Sequence, residues 1–258
     1  MRKLLEKEKA KIDTNYIEKL YNDIAGKQFK GNYEKNRWAN KSEKSRYEMI
    51  SNTLIKISKD YKFKEYIEIG PGPGTWTKIF LERNKNAKFT LVDISYEMLE
   101  QAKKNLINYS NLVYLKGDFL KIPLGKKFDF FFSSRALEYL SDKEFAFKRI
   151  GEIIKKNGNG VIITKTPHPI KDKIYNKIGR KIRHEHKDQI SLKRMKNLLE
   201  KNGFVDIKFF NVITEFPPSV RYNQPVINKK LYSLFNNKKP GIFLKPFSEA
   251  YMVIFRKK

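Results

Sequence analysis

Apolar residues recur along this chain in two rhythms. Short runs in which nearly every position is apolar or aromatic read as buried strands: Tyr66 to Ile69, Lys88 to Asp93, Leu112 to Leu115, Phe128 to Phe132, Gly160 to Thr164, Val205 to Val212 and Ala250 to Arg256. Between them the apolar positions fall three and four apart. That spacing predicts helices after Thr75 (Trp76, Ile79, Phe80), from about Ser42 to Lys59, and from Gln189 through Leu199 to a stop at Gly203. Residues 1–20 read as a charged, weakly amphipathic helix with Leu4, Leu5, Ile12, Ile17 and Leu20 as its stripe. Strands alternating with helices predict an α/β sheet.

The most informative stretch is Glu68-Ile69-Gly70-Pro71-Gly72-Pro73-Gly74-Thr75, where a strand runs into three glycines spaced two apart and then into a helix. Glycine lets bare backbone approach a ligand, and the two prolines stiffen the loop between those points. The spacing departs from the dinucleotide fingerprint G-x-G-x-x-G, and no G-x-x-x-x-G-K-[ST] is present. Glu68 within the strand suits a cationic ligand better than a pyrophosphate.

This pattern resembles motif I of the class I S-adenosylmethionine-dependent methyltransferases, acidic-apolar-Gly-x-Gly-x-Gly, and later landmarks come in order. Asp93 ends the second strand, nineteen residues past Gly74, where the resemblance implies a grip on both ribose hydroxyls, with Ile94 beside it. Asp118 and Phe119 after the third strand match the motif that meets the adenine amino group and ring. Ser133, Ser134 and Arg135 close the fourth strand and open a helix whose first turn lines the cofactor's far side in this family. The resemblance covers about residues 60–212. It implies a Rossmann-like seven-stranded, mostly parallel sheet, with the last strand inserted antiparallel between the fifth and sixth, and S-adenosylmethionine bound at Glu68, Gly70, Pro71, Gly72, Gly74 and the later landmarks.

The chain has 258 residues and no internal repeat, so a single methyltransferase domain is expected. It divides into an N-terminal helical cap (1–60), the cofactor-binding core (61–212), an acceptor-side insertion (213–249) and the last strand (250–258). The absence of cysteine excludes disulfides, thiolate metal sites and the covalent adduct that cytosine C5 methylation normally needs. Neither a signal peptide nor a membrane-spanning run is visible, which predicts a cytoplasmic protein with peripheral membrane contact as an option. The net charge is +27, yet residues 63–164 hold 17 Lys+Arg against 12 Asp+Glu while residues 165–202 hold 12 against 4. The excess therefore lies on the acceptor side and suits an anionic partner. Lysine outnumbers arginine 44 to 11, so part of the charge reflects residue usage at solvated positions, and scarce arginine argues against specific RNA recognition.

The lead-in Tyr21-Asn22-Asp23-Ile24-Ala25 with Tyr33 and Arg37-Trp38 resembles the segment that shapes the acceptor pocket in methyltransferases of the quinone-biosynthesis type; the alternative is that Tyr33 and Trp38 only staple the N-terminal helix to the core. His168 comes after the fifth strand and is the candidate general base, while His184 and His186 are candidates to orient the acceptor. No further ligands complete a metal site around that pair, so no metal is expected. The insertion 213–249, with its aromatics among lysines, reads either as a lid over an apolar acceptor or as a plug on the sheet edge. Adenine N-methylation, ribose methylation and arginine methylation each lack their family residues after strand four. By elimination the chain resembles small-molecule, lipid or glycan methyltransferases, with an oxygen acceptor favoured. An RNA methyltransferase using the basic surface and a non-catalytic cofactor-binding scaffold are the alternatives.

Overall fold

The computed structural model describes residues 13–28, 30–167, 189–214, 224–235 and 248–258. In chain order it contains α1 (Thr14–Asp23), α2 (Tyr33–Arg37), α3 (Lys41–Ser58), β1 (Glu65–Ile69), α4 (Thr77–Arg83), β2 (Lys88–Asp93), α5 (Tyr96–Asn105), β3 (Leu112–Lys116), β4 (Phe128–Ser134), α6 (Lys143–Ile153), β5 (Ile154–Lys165), α7 (Leu192–Lys201), β6 (Phe204–Thr214), α8 (Gln224–Phe235) and β7 (Ser248–Lys257). The seven strands form one sheet in the order β3-β2-β1-β4-β5-β7-β6. β1 to β5 pair in parallel, and β7 runs antiparallel to both β5 and β6, the arrangement expected from the family resemblance.

Both faces of the central strands are covered, which is why they read as unbroken apolar runs. Along β4, Phe130 and Phe132 face a cluster built with Tyr66, Phe80, Phe89 and Leu54, whereas Phe128 and Phe131 face a second cluster with Phe147, Ile150, Met195 and Leu199. Phe80 and Phe132 sit with ring centroids 5.0 Å apart, so α4 is held on the sheet by aromatic contact. Side-chain caps start the helices where the sequence places Asn40, Ser95, Asp142 and Ser191, each accepting from the backbone N–H three residues on.

Four boundaries differ from the periodicity. The first described helix spans 14–23 rather than closing at residue 20, and a π-helical turn, Ile24–Gln28, continues it. β4 opens into a single 3-10 turn, Leu137–Tyr139, and a regular helix begins only at Lys143. β5 starts six residues earlier than its apolar run, at Ile154, because Asn157 takes a positive φ of 63° and the pairing with β4 shifts between Phe128 and Phe130. A bulge carries polar residues through a strand in a way no alternation pattern shows. Finally, β6 absorbs residues 213 and 214, β7 starts at Ser248, and the described middle of the insertion is a helix. Its Tyr232 is buried, with the hydroxyl 3.0 Å from the Thr53 hydroxyl and 3.1 Å from the Met49 carbonyl, so this part packs on α3. Among the described residues no helix is long and apolar enough to cross a membrane.

Replacing Phe132, which is fully buried, with alanine is expected to lower unfolding free energy by about 3–5 kcal/mol through lost burial and a residual cavity. Urea unfolding measures it; a loss under about 1 kcal/mol would contradict the packing described.

Candidate functional site

The strand order reverses between β2-β1 and β4-β5, and a crevice opens there at the carboxyl ends of β1 and β4. It encloses about 240 Å³. The glycine loop forms one wall. Gly70 has φ of +68°, and a Cβ there would overlap the Cβ of Ala136 after β4, so only glycine lets the two loops meet. Gly74, at φ +82°, packs on Leu106, whose Cδ1 lies 2.7 Å from where a Cβ would stand. Gly74 therefore turns the chain into α4 and does not itself line the crevice.

Glu68 also stands behind the wall. Its Oε2 accepts from the Tyr66 hydroxyl at 2.8 Å and the Thr77 hydroxyl at 2.7 Å, joining β1 to the first turn of α4 across the loop. Burial pushes its carboxyl up to about 7, although Thr77 and Tyr66 pull it back. Ser133 is a third residue that holds the wall from behind, donating 3.0 Å to the Ile69 carbonyl.

Where β2 meets the crevice, Asp93 accepts from the Gly72 N–H at 3.1 Å and the Ser95 N–H at 2.9 Å. Burial raises its carboxyl to about 6 against those backbone donors. Asp118 accepts from the Leu120 N–H at 2.9 Å through Oδ1, while Oδ2 is buried with no partner among the described residues. Phe119 is buried alongside it, and Gly70, Pro71, Gly72, Ile94, Ser134 and Arg135 complete the lining from the expected set. An orphaned carboxylate oxygen next to an aromatic ring fits an adenine amino group, and Ser134 Oγ, also unpartnered, offers a second polar contact. These residues fit S-adenosylmethionine: Asp93 would hold the ribose, and Asp118 with Phe119 the purine.

The far end of the crevice is aromatic and cationic. Tyr33 and Trp38 line it, together with Tyr21 and Arg37 of the same lead-in and with Arg46 and Tyr139, which the sequence did not single out. Trp38, Tyr47 and Trp76 pack with centroids 5.3 to 5.9 Å apart, and the Trp38 indole N–H is buried with no acceptor among the described residues. The N-terminal cap is bolted down by α5: the Tyr33 N–H donates to Gln101 at 2.7 Å, Gln101 donates to the Ala25 carbonyl at 3.2 Å, and the Ser95 hydroxyl donates to Asn22 at 2.7 Å. Arg135 holds a positive φ of 62°. Its guanidinium lies 2.9 Å from Glu138 and 3.4 Å from Glu249; burial works against its charge, but the two glutamates keep it well above its ordinary pKa. His168, His184 and His186 lie outside the described residues.

Residues 67–158 match a family model described as a methyltransferase domain. Malonyl-[acyl-carrier protein] O-methyltransferase 1 of Ilyobacter polytropus is 31% identical over 97 residues, covering 37% of this chain and 36% of that protein. The corresponding enzyme of Neorickettsia risticii is 35% identical over 89 residues, 34% of each chain. The aligned stretch thus spans about a third of the length of these curated relatives. Among solved structures, a SAM-dependent methyltransferase from Thermotoga maritima superposes with TM-score 0.60 at 20% identity, over 90% of this chain and 98% of that one. The N-methyltransferase NodS of Bradyrhizobium japonicum, crystallised with S-adenosyl-L-homocysteine, gives TM-score 0.54 at 13% identity over 83% and 87% of the two chains. Residues 67–158 thus carry a methyltransferase domain, on a fold shared with solved S-adenosylmethionine-dependent methyltransferases.

An ionised Asp93 is the form that accepts from ribose hydroxyls, and its carboxyl protonates at about 6 in the free protein. Affinity for S-adenosyl-L-homocysteine is therefore expected to be full above pH 7 and to weaken as pH falls through 6, by up to about tenfold per further unit. Calorimetry across that range checks it. Asp93→Ala should bind about tenfold or more weakly at pH 8, from lost buried hydrogen bonds, and should show a flatter profile; unchanged affinity would remove Asp93 from the ribose site.

Proposed function

We propose that this protein transfers a methyl group to an oxygen atom of a small or carrier-linked acceptor, and that the oxygen belongs to an ionised carboxyl group. When bound, S-adenosylmethionine supplies the methyl group on an electrophilic sulfonium. The chain itself has to hold and align the acceptor in a site that excludes water.

The observation that carries this reading is the make-up of the aromatic end. Three of eleven arginines line the crevice, Arg37, Arg46 and Arg135, and among the described residues no lysine does, although the chain has 44. A planar guanidinium grips a carboxylate through two parallel N–H bonds, which an ammonium cannot do. Arg37 and Arg46 both pair with Glu43, which sets their two forks side by side at the crevice wall. Burial raises the pKa of the Tyr21, Tyr33 and Tyr139 hydroxyls, which stay protonated at neutral pH and serve as donors. Arginines and phenols of this kind supply no base. An acceptor that arrives as an anion needs none, whereas a hydroxyl acceptor would require the base that the sequence assigns to His168. The names of the curated relatives support the same chemistry, since a malonyl group on a carrier ends in a free carboxylate.

The test is the alkali lability of the product. Incubation with methyl-labelled cofactor and malonyl-acyl carrier protein is expected to give label released as methanol by mild alkali, which cleaves esters and spares ethers and N-methyl groups. Arg46→Lys is expected to raise KM for the acceptor about tenfold while leaving cofactor affinity unchanged. Alkali-stable label appearing in glycan, lipid or RNA fractions instead would reject a carboxyl acceptor.

A further inference from the structure

A second groove opens on the opposite flank of α3. Lys41, Lys44, Ser45 and Glu48 of α3 face Val226, Lys229, Lys230 and Ser233 of α8 across an open space of about 600 Å³. In both helices these positions are i, i+3, i+4 and i+7, so each presents one continuous face to the groove. Four lysines stand there against one glutamate. Among the described residues none of the four lysines forms an ion pair. Lys41 opens α3, so the positive end of the helix dipole adds to the same potential.

The groove lies close to the crevice because α3 walls both. Arg46 and Ile50 line the crevice, while Lys44, Ser45 and Glu48 of the same turns line the groove. A partner seated on the lysines would therefore be about one helix diameter, roughly 10 Å, from the acceptor end. The lining is not wholly polar: Val226 is 60% exposed. Among the described residues neither arginine nor an aromatic ring faces the groove, so its lining lacks the groups that stack on bases or clamp phosphates. Lysine point charges around an exposed valine match an acidic protein face better than RNA.

We propose that the α3–α8 groove docks an acidic partner protein that presents the acceptor to the crevice. The proposal rests on the carboxylate reading only for what the partner carries; the docking surface itself stands on the groove's charge and position.

The probe is fluorescently labelled acyl-carrier protein, titrated with the full chain at low salt and again at about 0.15 M salt. Binding to the wild type is expected to weaken with salt. The fourfold variant Lys41→Glu, Lys44→Glu, Lys229→Glu, Lys230→Glu is expected to bind about tenfold more weakly or worse. Its affinity for S-adenosyl-L-homocysteine should match the wild type, which controls for folding. Equal binding of the carrier by both proteins overturns the proposal, as does a groove that binds single-stranded RNA and no carrier. A carrier-free malonyl thioester separates the two readings. Equal methylation of it by wild type and variant is expected, and failure of both to methylate it removes the carboxylate acceptor without touching the docking result.

Discussion

The crevice depends on one buried carboxylate. Glu68 has no solvent exposure, and burying a charge there is costly enough to raise its carboxyl to about 7, since the hydrogen bonds reach Oε2 and leave Oε1 without a partner among the described residues. Tyr66 and Thr77 both donate to the same oxygen, one from within β1 and the other from the first turn of α4, so the carboxylate spans the loop from its entry to its exit. Between those anchors Gly70 packs on Ala136 and Gly74 on Leu106, contacts that a side chain at either position would push apart. The loop is thereby fixed to its neighbours at four points. Its backbone can then offer the Gly72 N–H to Asp93 and set the carboxylate of β2 at the distance the site requires.

With the loop fixed, the crevice is polarised along its length. Carboxylates sit at one end, Asp93 and Asp118, and guanidiniums at the other, Arg37, Arg46 and Arg135. The guanidiniums are each backed by glutamate, Glu43 for the first two and Glu138 with Glu249 for the third. Such backing fixes the planes of the guanidiniums before a ligand arrives, which reduces the ordering cost of binding. It also explains why Arg135 tolerates a left-handed backbone: two ion pairs hold the side chain where the turn after β4 puts it.

The sheet and the adenosine end were legible because each rests on local pattern. Buried parallel strands announce themselves as apolar runs, and the glycine loop, Asp93, Asp118 and Phe119 come after strand ends in fixed order. Glu68, Gly74 and Ser133 were legible as part of that pattern but not in their role. Which side of a loop a residue faces depends on packing against Thr77, Leu106 and Ile69, partners distant from any motif. The acceptor end was least legible, since Tyr21, Arg37, Arg46 and Tyr139 come from separate elements and meet only when the cap folds onto α5. One signal was available. In a chain this rich in lysine, an arginine marks a position where an ammonium does not serve, and that criterion would have set Arg37 and Arg46 beside Arg135 among eleven candidates.

The same partition of cations organises α3. Its crevice side carries Arg46, whose planar fork is tied to Glu43 at 2.9 Å, and its groove side carries Lys41 and Lys44, compact charges on flexible stems. These are different instruments: the fork selects the geometry of a small anion, whereas the stems attract any acidic surface and let it adjust. Tyr232 pins α8 against Thr53 and Met49, so the spacing between the two basic helices is set by buried hydrogen bonds and not by the lysines themselves. Mutual repulsion of four ammonium groups opposes that packing, and the arrangement persists because Tyr232 and the apolar contacts beneath it outweigh a screened surface repulsion of the order of 1 kcal/mol or less per pair. On the docking proposed above, a cationic face held at fixed spacing across α3 from an arginine-lined crevice would link recognising an acceptor to recognising what brings it.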